Sequence, residues 1–339
     1  MNNTAKCHDD HTLDKYLFPF VYSIVMMISI PINCLSLYAS CIQVRKKNEL
    51  AVYLFSLSLA DLLYSLILPL WIDYAWNGDN WRLSALLCRI SAFLMYMNFY
   101  TSTAFLACIS LDRYLALVHP LKLQHLRTRR FSLIVSVIVW FLESILNSVI
   151  LVYKEVFNDP CNFTNHTLCY DKYPLERWQA QINLFRICSG YLVPLIIIVF
   201  CYHEIYRVVR GNQATVDEEK KKVRKLILNI TVTFIVCFTP YHIMLLIRSI
   251  KEPHTTDPQV LQLMYKVYRI TQALTSFNCI ADPVLYCFVS ETARTDILNL
   301  FRCCLCLQKC ERDQAKHHAP YSCTTKGITS CETEIVRNA

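Results

Sequence analysis

Glycine is almost missing from this chain, with 4 residues in 339. So few glycines leave little room for a phosphate-cradling loop, and neither a metal-ligand spacing nor a nucleophile elbow occurs, which argues against an enzyme. The same scarcity, beside abundant Leu, Ile, Val and aromatics, argues against a Gly-rich β-barrel. Charge is also thin: 18 % of residues are charged while 54 % are hydrophobic, too apolar a balance for an ordinary soluble domain. The net charge of +8 lies in short clusters between apolar runs, which reads as membrane topology and not as nucleic-acid binding. Residues Met1 to Asp14 are polar and weakly acidic, without the charged-then-apolar plan of a cleaved leader, so the first apolar run is expected to act as its own insertion signal.

What the chain does have is long apolar runs. A spanning helix needs ~20 mainly apolar residues. Seven segments qualify: Leu17 to Ile42, Leu50 to Tyr74, Leu86 to Leu117, Ser132 to Tyr153, Ile182 to Tyr206, Leu226 to Ile250 and Leu263 to Val289. Pro194, Pro240 and Pro283 fall within the last three, where membrane helices tolerate proline. The expected fold is an all-α membrane protein, a seven-transmembrane helix bundle. Its parts are an N-terminus at 1–16, the bundle at 17–289, a short amphipathic eighth helix at 290–302 and a tail at 303–339.

Arg45-Lys46-Lys47, Lys122 to Arg130 and Arg207 to Lys225 fall on one side of the bundle. The positive-inside rule places them in the cytoplasm and the N-terminus outside, at the plasma membrane. Sequons at Asn2, Asn162 and Asn165 lie on the expected outer face and predict glycosylation. Asn229-Ile230-Thr231 also matches but sits inside an apolar run. Cys303, Cys304 and Cys306 follow the amphipathic stretch and are candidates for palmitoylation, against unmodified tail thiols. Of the 18 cysteines, Cys7, Cys88, Cys161 and Cys169 lie outside the membrane or at its outer edge. Two disulfides are expected among them, with three pairings open.

Short motifs occur along the apolar segments in order: Asn33, Leu59-Ala60-Asp61, Asp112-Arg113-Tyr114, Trp140, Pro194, Cys237-Phe238-Thr239-Pro240 and Asp282-Pro283-Val284-Leu285-Tyr286. In this order the chain resembles rhodopsin-class G-protein-coupled receptors over nearly its whole length. Leu68-Pro69-Leu70-Trp71-Ile72-Asp73-Tyr74, the stretch from Phe93 to Tyr100, that from Leu168 to Glu176, and Phe238-Thr239-Pro240-Tyr241-His242 resemble the proton-sensing group of that class. The resemblance implies a disulfide between Cys88 and Cys169, leaving Cys7 with Cys161. It also implies a switch in which Arg113 pairs with Asp112 at rest, then meets the G protein with Tyr202 and Tyr286 around it, Tyr114 completing the motif. A helix-end salt bridge without consequence is the plainer alternative.

Asp61 is a carboxylate near mid-membrane, a placement that calls for a purpose. By resemblance Asn98, Ser102, Asn278 and Asp282 surround it as a sodium pocket, Asp282 standing where the family commonly has Asn. Two carboxylates in one desolvated pocket resist joint ionisation, so either a proton or a sodium ion is expected there. Sodium is the one cofactor this sequence suggests. Glu143, among Trp140, Phe141, Leu142 and Ile145, is either a proton-binding group or the partner of a polar neighbour. Met95 stands where amine receptors carry Asp, and Ser276 where opsins carry the retinal-binding Lys.

Histidine changes charge near pH ~6.5. His8, His11, His166 and His254 lie on the expected outer side, with Asp9 and Asp10 beside the first two, and His242 lies within the sixth segment. His11 and His242 match histidines in the most similar member of the group, whereas Lys15 stands in place of a third. The resemblance implies a receptor activated by extracellular protons, coupled to the stimulatory G protein and cyclic AMP, with arrestin and receptor kinases as further partners. A rival is a lysolipid or glycolipid anchored by Arg186 and Arg269, unless these pair with Asp171 or Glu176. A transporter is disfavoured, since no internal repeat is evident.

Overall fold

The computed structural model describes residues 12–120, 122–152, 156–158, 167–170, 174–211 and 217–289. Its long helices are Thr12–Arg45, Leu50–Trp76, Ala85–Val118, Arg129–Val152, Arg177–Val208 and Val223–His254, called first to sixth below. The seventh runs Pro258–Thr275 and resumes at Asn278–Val289. Several outrun the apolar stretches, because polar caps extend them. Ser84 Oγ accepts from Leu87 N, Thr128 Oγ1 from Phe131 N, and Asp257 Oδ1 from Gln259 N, each satisfying a first-turn amide.

The fourth helix shows what solvent the bundle is built for. It buries Ser132, Ser136 and Asn147 while Ile134, Val137, Ile138, Phe141 and Ile145 face outward. A water-soluble helix would do the reverse. In lipid, apolar contact gives no preference for the inside, so polar side chains join helices instead. Ser56 Oγ meets Ser136 Oγ at 2.6 Å, Ser58 Oγ donates to Ser36 Oγ at 2.7 Å, and Asn33 Nδ2 donates to Cys279 O at 2.7 Å.

Two prolines sit directly after widened turns. Ile187–Leu192 and Phe234–Phe238 are π-helical, preceding Val193-Pro194 and Thr239-Pro240. Proline lacks an amide and crowds the preceding turn, and the wider turn accommodates both effects. The first bulge brings the fifth helix against the third. A Cβ on Gly190 would stand 2.3 Å from Tyr100 Cδ1, and Thr103 Oγ1 donates to Gly190 O at 2.8 Å. Only glycine fits that crossing.

One end of the bundle is strapped by a loop. Strands Val156–Asn158 and Thr167–Cys169 pair antiparallel, a short ladder beyond the all-helical expectation. Cys169 is disulfide-bonded to Cys88 at the start of the third helix. Trp81 N donates to Thr167 O at 2.7 Å, and Thr167 N to Asn80 Oδ1 at 3.1 Å. This is the disulfide end; Asp112 and Arg113 lie at the opposite end.

Candidate functional site

Helix crossings gather polar groups at four levels. At the centre, Asp61 and Asp282 are fully or almost fully buried and close enough to interact electrostatically. Asn98 Nδ2 donates to Asp61 Oδ1 at 2.8 Å and reaches Ser102 Oγ at 3.5 Å. Cys279 Sγ donates to Asn278 Oδ1 at 3.4 Å. Asp61 Oδ2, both Asp282 oxygens and Asn278 Nδ2 meet no hydrogen-bond partner among the described residues. The five residues of the expected pocket therefore do converge.

Between centre and disulfide end lie Glu143 and His242. Asn147 Nδ2 donates to Glu143 O at 2.9 Å and to Glu143 Oε2 at 3.4 Å, and it reaches Met97 Sδ at 3.8 Å. Both readings of Glu143 survive, since its polar neighbour exists but holds the carboxyl loosely. His242 is buried in an aromatic cage. Tyr191 stacks on it at 4.3 Å, with Tyr241 at 4.9 Å and Tyr100 at 6.1 Å edge-on. A carbonyl only accepts, so the 2.8 Å contact with Phe238 O puts a proton on His242 Nδ1. Nε2 then carries the free lone pair of the neutral ring, and it has no partner among the described residues. At the retinal-lysine position, Ser276 Oγ meets Tyr64 OH at 2.7 Å.

The disulfide end holds three buried guanidinium groups. Arg269 pairs with Asp79 at 3.1 Å, donates from Nη1 to Tyr265 OH at 2.9 Å, and lies over the Phe18 ring at 4.8 Å. It is absent from the cavity lining, so the expected anchor is a strut held by Asp79. Arg248 Nε and Nη2 both donate to Glu252, whose Oε2 also accepts from Leu175 N at 3.1 Å. Arg186 does line a cavity open to solvent, together with Arg248, Tyr96, Tyr268, Ile182 and Leu245.

At the opposite end Arg113 Nη2 and Nε donate to Asp112 Oδ2 at 2.5 and 3.0 Å. Arg127 adds a link that no motif predicts: its Nη2 donates to Glu49 Oε1 at 2.7 Å, and its Nε lies 3.8 Å from Asp112 Oδ1. Tyr114 OH meets His119 Nε2 at 3.1 Å, and Tyr202 stacks on Tyr206. No hydrogen bond joins Tyr202 to Arg113 among the described residues, which suits the closed pair.

The profile of the 7 transmembrane receptor (rhodopsin family) matches residues 32–286. The chain belongs to the rhodopsin family of seven-transmembrane receptors. This receptor is 53 % identical over 340 residues to G-protein coupled receptor 65 of Homo sapiens, covering 98 % of this chain and 99 % of the relative. Against G-protein coupled receptor 68 of Mus musculus it is 40 % identical over 318 residues, 94 % of this chain and 86 % of the relative. Lysophosphatidic acid receptor 6 of Mus musculus is 32 % identical over 303 residues, 87 % of each. The receptor is thus a multi-pass plasma-membrane protein that works through a G protein, and not an enzyme.

Several expected positions lie outside the described residues: His8, His11, His166, Cys7, Cys161, the sequons at Asn2, Asn162 and Asn165, the eighth helix at 290–302, and Cys303, Cys304 and Cys306. The backbone of Tyr286 is helical, but its side chain is also outside them. His254 is exposed on the last turn of the sixth helix. The motif reading missed Asp79, Glu252, Glu49 and Arg127. Only Arg248 and Glu252 carried a local signal, their i, i+4 spacing on one helix.

Proposed function

We propose that this receptor stands with its N-terminus and disulfide end outside the cell and is activated by extracellular protons. The observation that carries this reading is the set of buried carboxyls short of hydrogen-bond donors. Asp61 Oδ2 and both Asp282 oxygens meet none among the described residues, and Glu143 has one long bond. Such groups are well accommodated as neutral acids and poorly as bare anions. A conformation that packs them closely therefore binds more protons, and acid shifts the population toward it. The orientation follows from the basic clusters that share the Asp112 end.

His242 and the histidines expected outside, His8, His11, His166 and His254, are the further proton-binding groups of this proposal. Protonating His242 at Nε2 adds an N–H among the faces and edges of Tyr191, Tyr241 and Tyr100, where cation–π attraction receives it. One proton site yields at most ~1.4 kcal/mol per pH unit, so a steep response requires several. A sodium ion is the alternative neutraliser of Asp61 and Asp282, with oxygens of Asn98, Ser102 and Asn278 available around it. Coupling to the stimulatory G protein and cyclic AMP completes the proposal, with arrestin and receptor kinases acting on the tail. Sugars at the three sequons and palmitate on Cys303, Cys304 and Cys306 fit this orientation.

A second reading rests on Arg186 in its cavity and on a relative named for lysophosphatidic acid: a lysolipid or glycolipid as agonist. Cyclic AMP in cells expressing the receptor, stepped from pH ~8 to ~6, separates the two, because that window spans histidine titration. A receptor-dependent rise without added lipid supports proton activation. A flat trace with the receptor at the surface rejects it in favour of the lipid.

A further inference from the structure

Two arginines wall the same cavity, and their hydrogen-bonding differs in one respect. The Nε–H and Nη2–H of an arginine point to the same side and form a fork that fits the two oxygens of a carboxylate. In Arg248 that fork is filled, Nε facing Glu252 Oε1 and Nη2 facing Glu252 Oε2 at 3.1 Å. In Arg186 the same two atoms are buried and meet no acceptor among the described residues. The side chain is 5 % exposed, and its Cζ lies over the Tyr96 ring at 4.8 Å, which fixes the guanidinium plane. Tyr170 also interacts with it, but a phenol does not supply two oxygens or a full charge. Glu143 feels the charge of Arg186, yet its carboxyl is engaged with Asn147 instead. A buried guanidinium with its fork unfilled is costly, and no acid among the described residues fills it.

We propose that this cavity binds a carboxylate ligand whose two oxygens take the Arg186 fork as Glu252 takes that of Arg248. The remaining wall suits the rest of such a molecule. Ile182 and Leu245 are apolar, and Tyr96 and Tyr268 offer ring faces, so a carboxylate on a compact apolar or aromatic body fits best. Arg248, neutralised by Glu252, supplies shape more than charge. The site does not depend on the proton reading, because it needs only Arg186 and its cavity.

The test is thermal unfolding of the full-length receptor in lipid nanodiscs, with benzoate titrated at constant ionic strength against chloride. Benzoate is expected to raise the unfolding temperature saturably, as a ligand of the native state must, while chloride does not. Arg186→Gln should abolish the effect. Arg186→Lys, which keeps the charge and removes the fork, should weaken it about tenfold or more. The ligand-free transition of each variant shows whether it folds, and the Lys variant carries the test if the Gln variant has none. Laurate in place of benzoate distinguishes the source. Stabilisation by laurate alone assigns the carboxylate to a lipid; stabilisation by benzoate assigns it to a soluble acid. Equal stabilisation of wild type and Arg186→Gln, stabilisation by lysophosphatidate only, or none by either acid overturns the proposal. Because unfolding is read on the receptor alone, a flat proton response would reject the signalling proposal and leave this one standing.

Discussion

Arg269 of the seventh helix reaches across to Asp79 at 3.1 Å, and Asp79 adopts a left-handed backbone, φ 59°, to receive it. Asp79 lies in the turn between the second and third helices, and Arg269 also covers Phe18 of the first. One buried pair therefore fastens three elements at the disulfide end.

Breaking that pair from one side leaves a buried charge uncompensated, a loss of ~3–5 kcal/mol. Asp79→Asn isolates the charge, since Asn tolerates the left-handed region. Asp79→Asn and Arg269→Gln should each lower the unfolding temperature of the purified receptor, and the double variant should recover part of the loss. Strictly additive losses would mean that the pair does not couple.

Gly190→Ala tests the crossing of the third and fifth helices. The added methyl would meet the Tyr100 ring at 2.3 Å, so helix or ring must shift. Overpacking of this kind costs ~1–3 kcal/mol. Lower thermal stability is expected, with partial rescue by Tyr100→Leu; an unchanged transition would show that the ring moves freely.

Arg127 bridges Glu49 and Asp112 at the opposite end, holding the acid that holds Arg113. Arg127 and Glu49 are only partly buried, so the bridge contributes ~1 kcal/mol. Removing it should free Arg113 more often and raise basal nucleotide exchange on the G protein about fivefold in Arg127→Ala membranes. The swap Glu49→Arg with Arg127→Glu restores the Glu49 contact but repels Asp112. It should therefore stay as active as Arg127→Ala if Asp112 is the relevant partner, and fall back to the wild-type level if Glu49 is.

The pH response has a definite sign under proton activation. An amide imitates a protonated acid, so Asp282→Asn should reach half-maximal cyclic AMP at higher pH than wild type, with fewer protons left to bind. Combining His242→Phe with Glu143→Gln should flatten the curve, by removing two of the groups whose summed titration makes it steep. Receptors carrying both changes that still follow the wild-type pH curve would reject these residues as sensors.

Much of this receptor was legible in its sequence because the membrane imposes rules that act locally. A span must be long and apolar, which located the helices, and six are recovered as continuous helices with the seventh interrupted after Thr275. Motifs such as Asp112-Arg113 and the residues around Asp61 carry their roles in position along the helix. Their convergence was foreseeable once the segments were aligned with the family. The partners of the arginines were not. Asp79 is 190 residues from Arg269, and Leu175, which bonds Glu252, belongs to another loop. The proximity sets in only when helices cross.

By itself, then, the chain determined that there would be a membrane bundle, which segments build it, and which acids and histidines lie within it, because hydropathy and helical spacing are properties of consecutive residues. Only the tertiary structure decided that Arg269 is a strut, that Glu252 neutralises Arg248, and that Arg186 keeps in a cavity a fork unfilled among the described residues. Pairing of buried charges is settled by distances between helices, and a linear order of residues does not contain those distances.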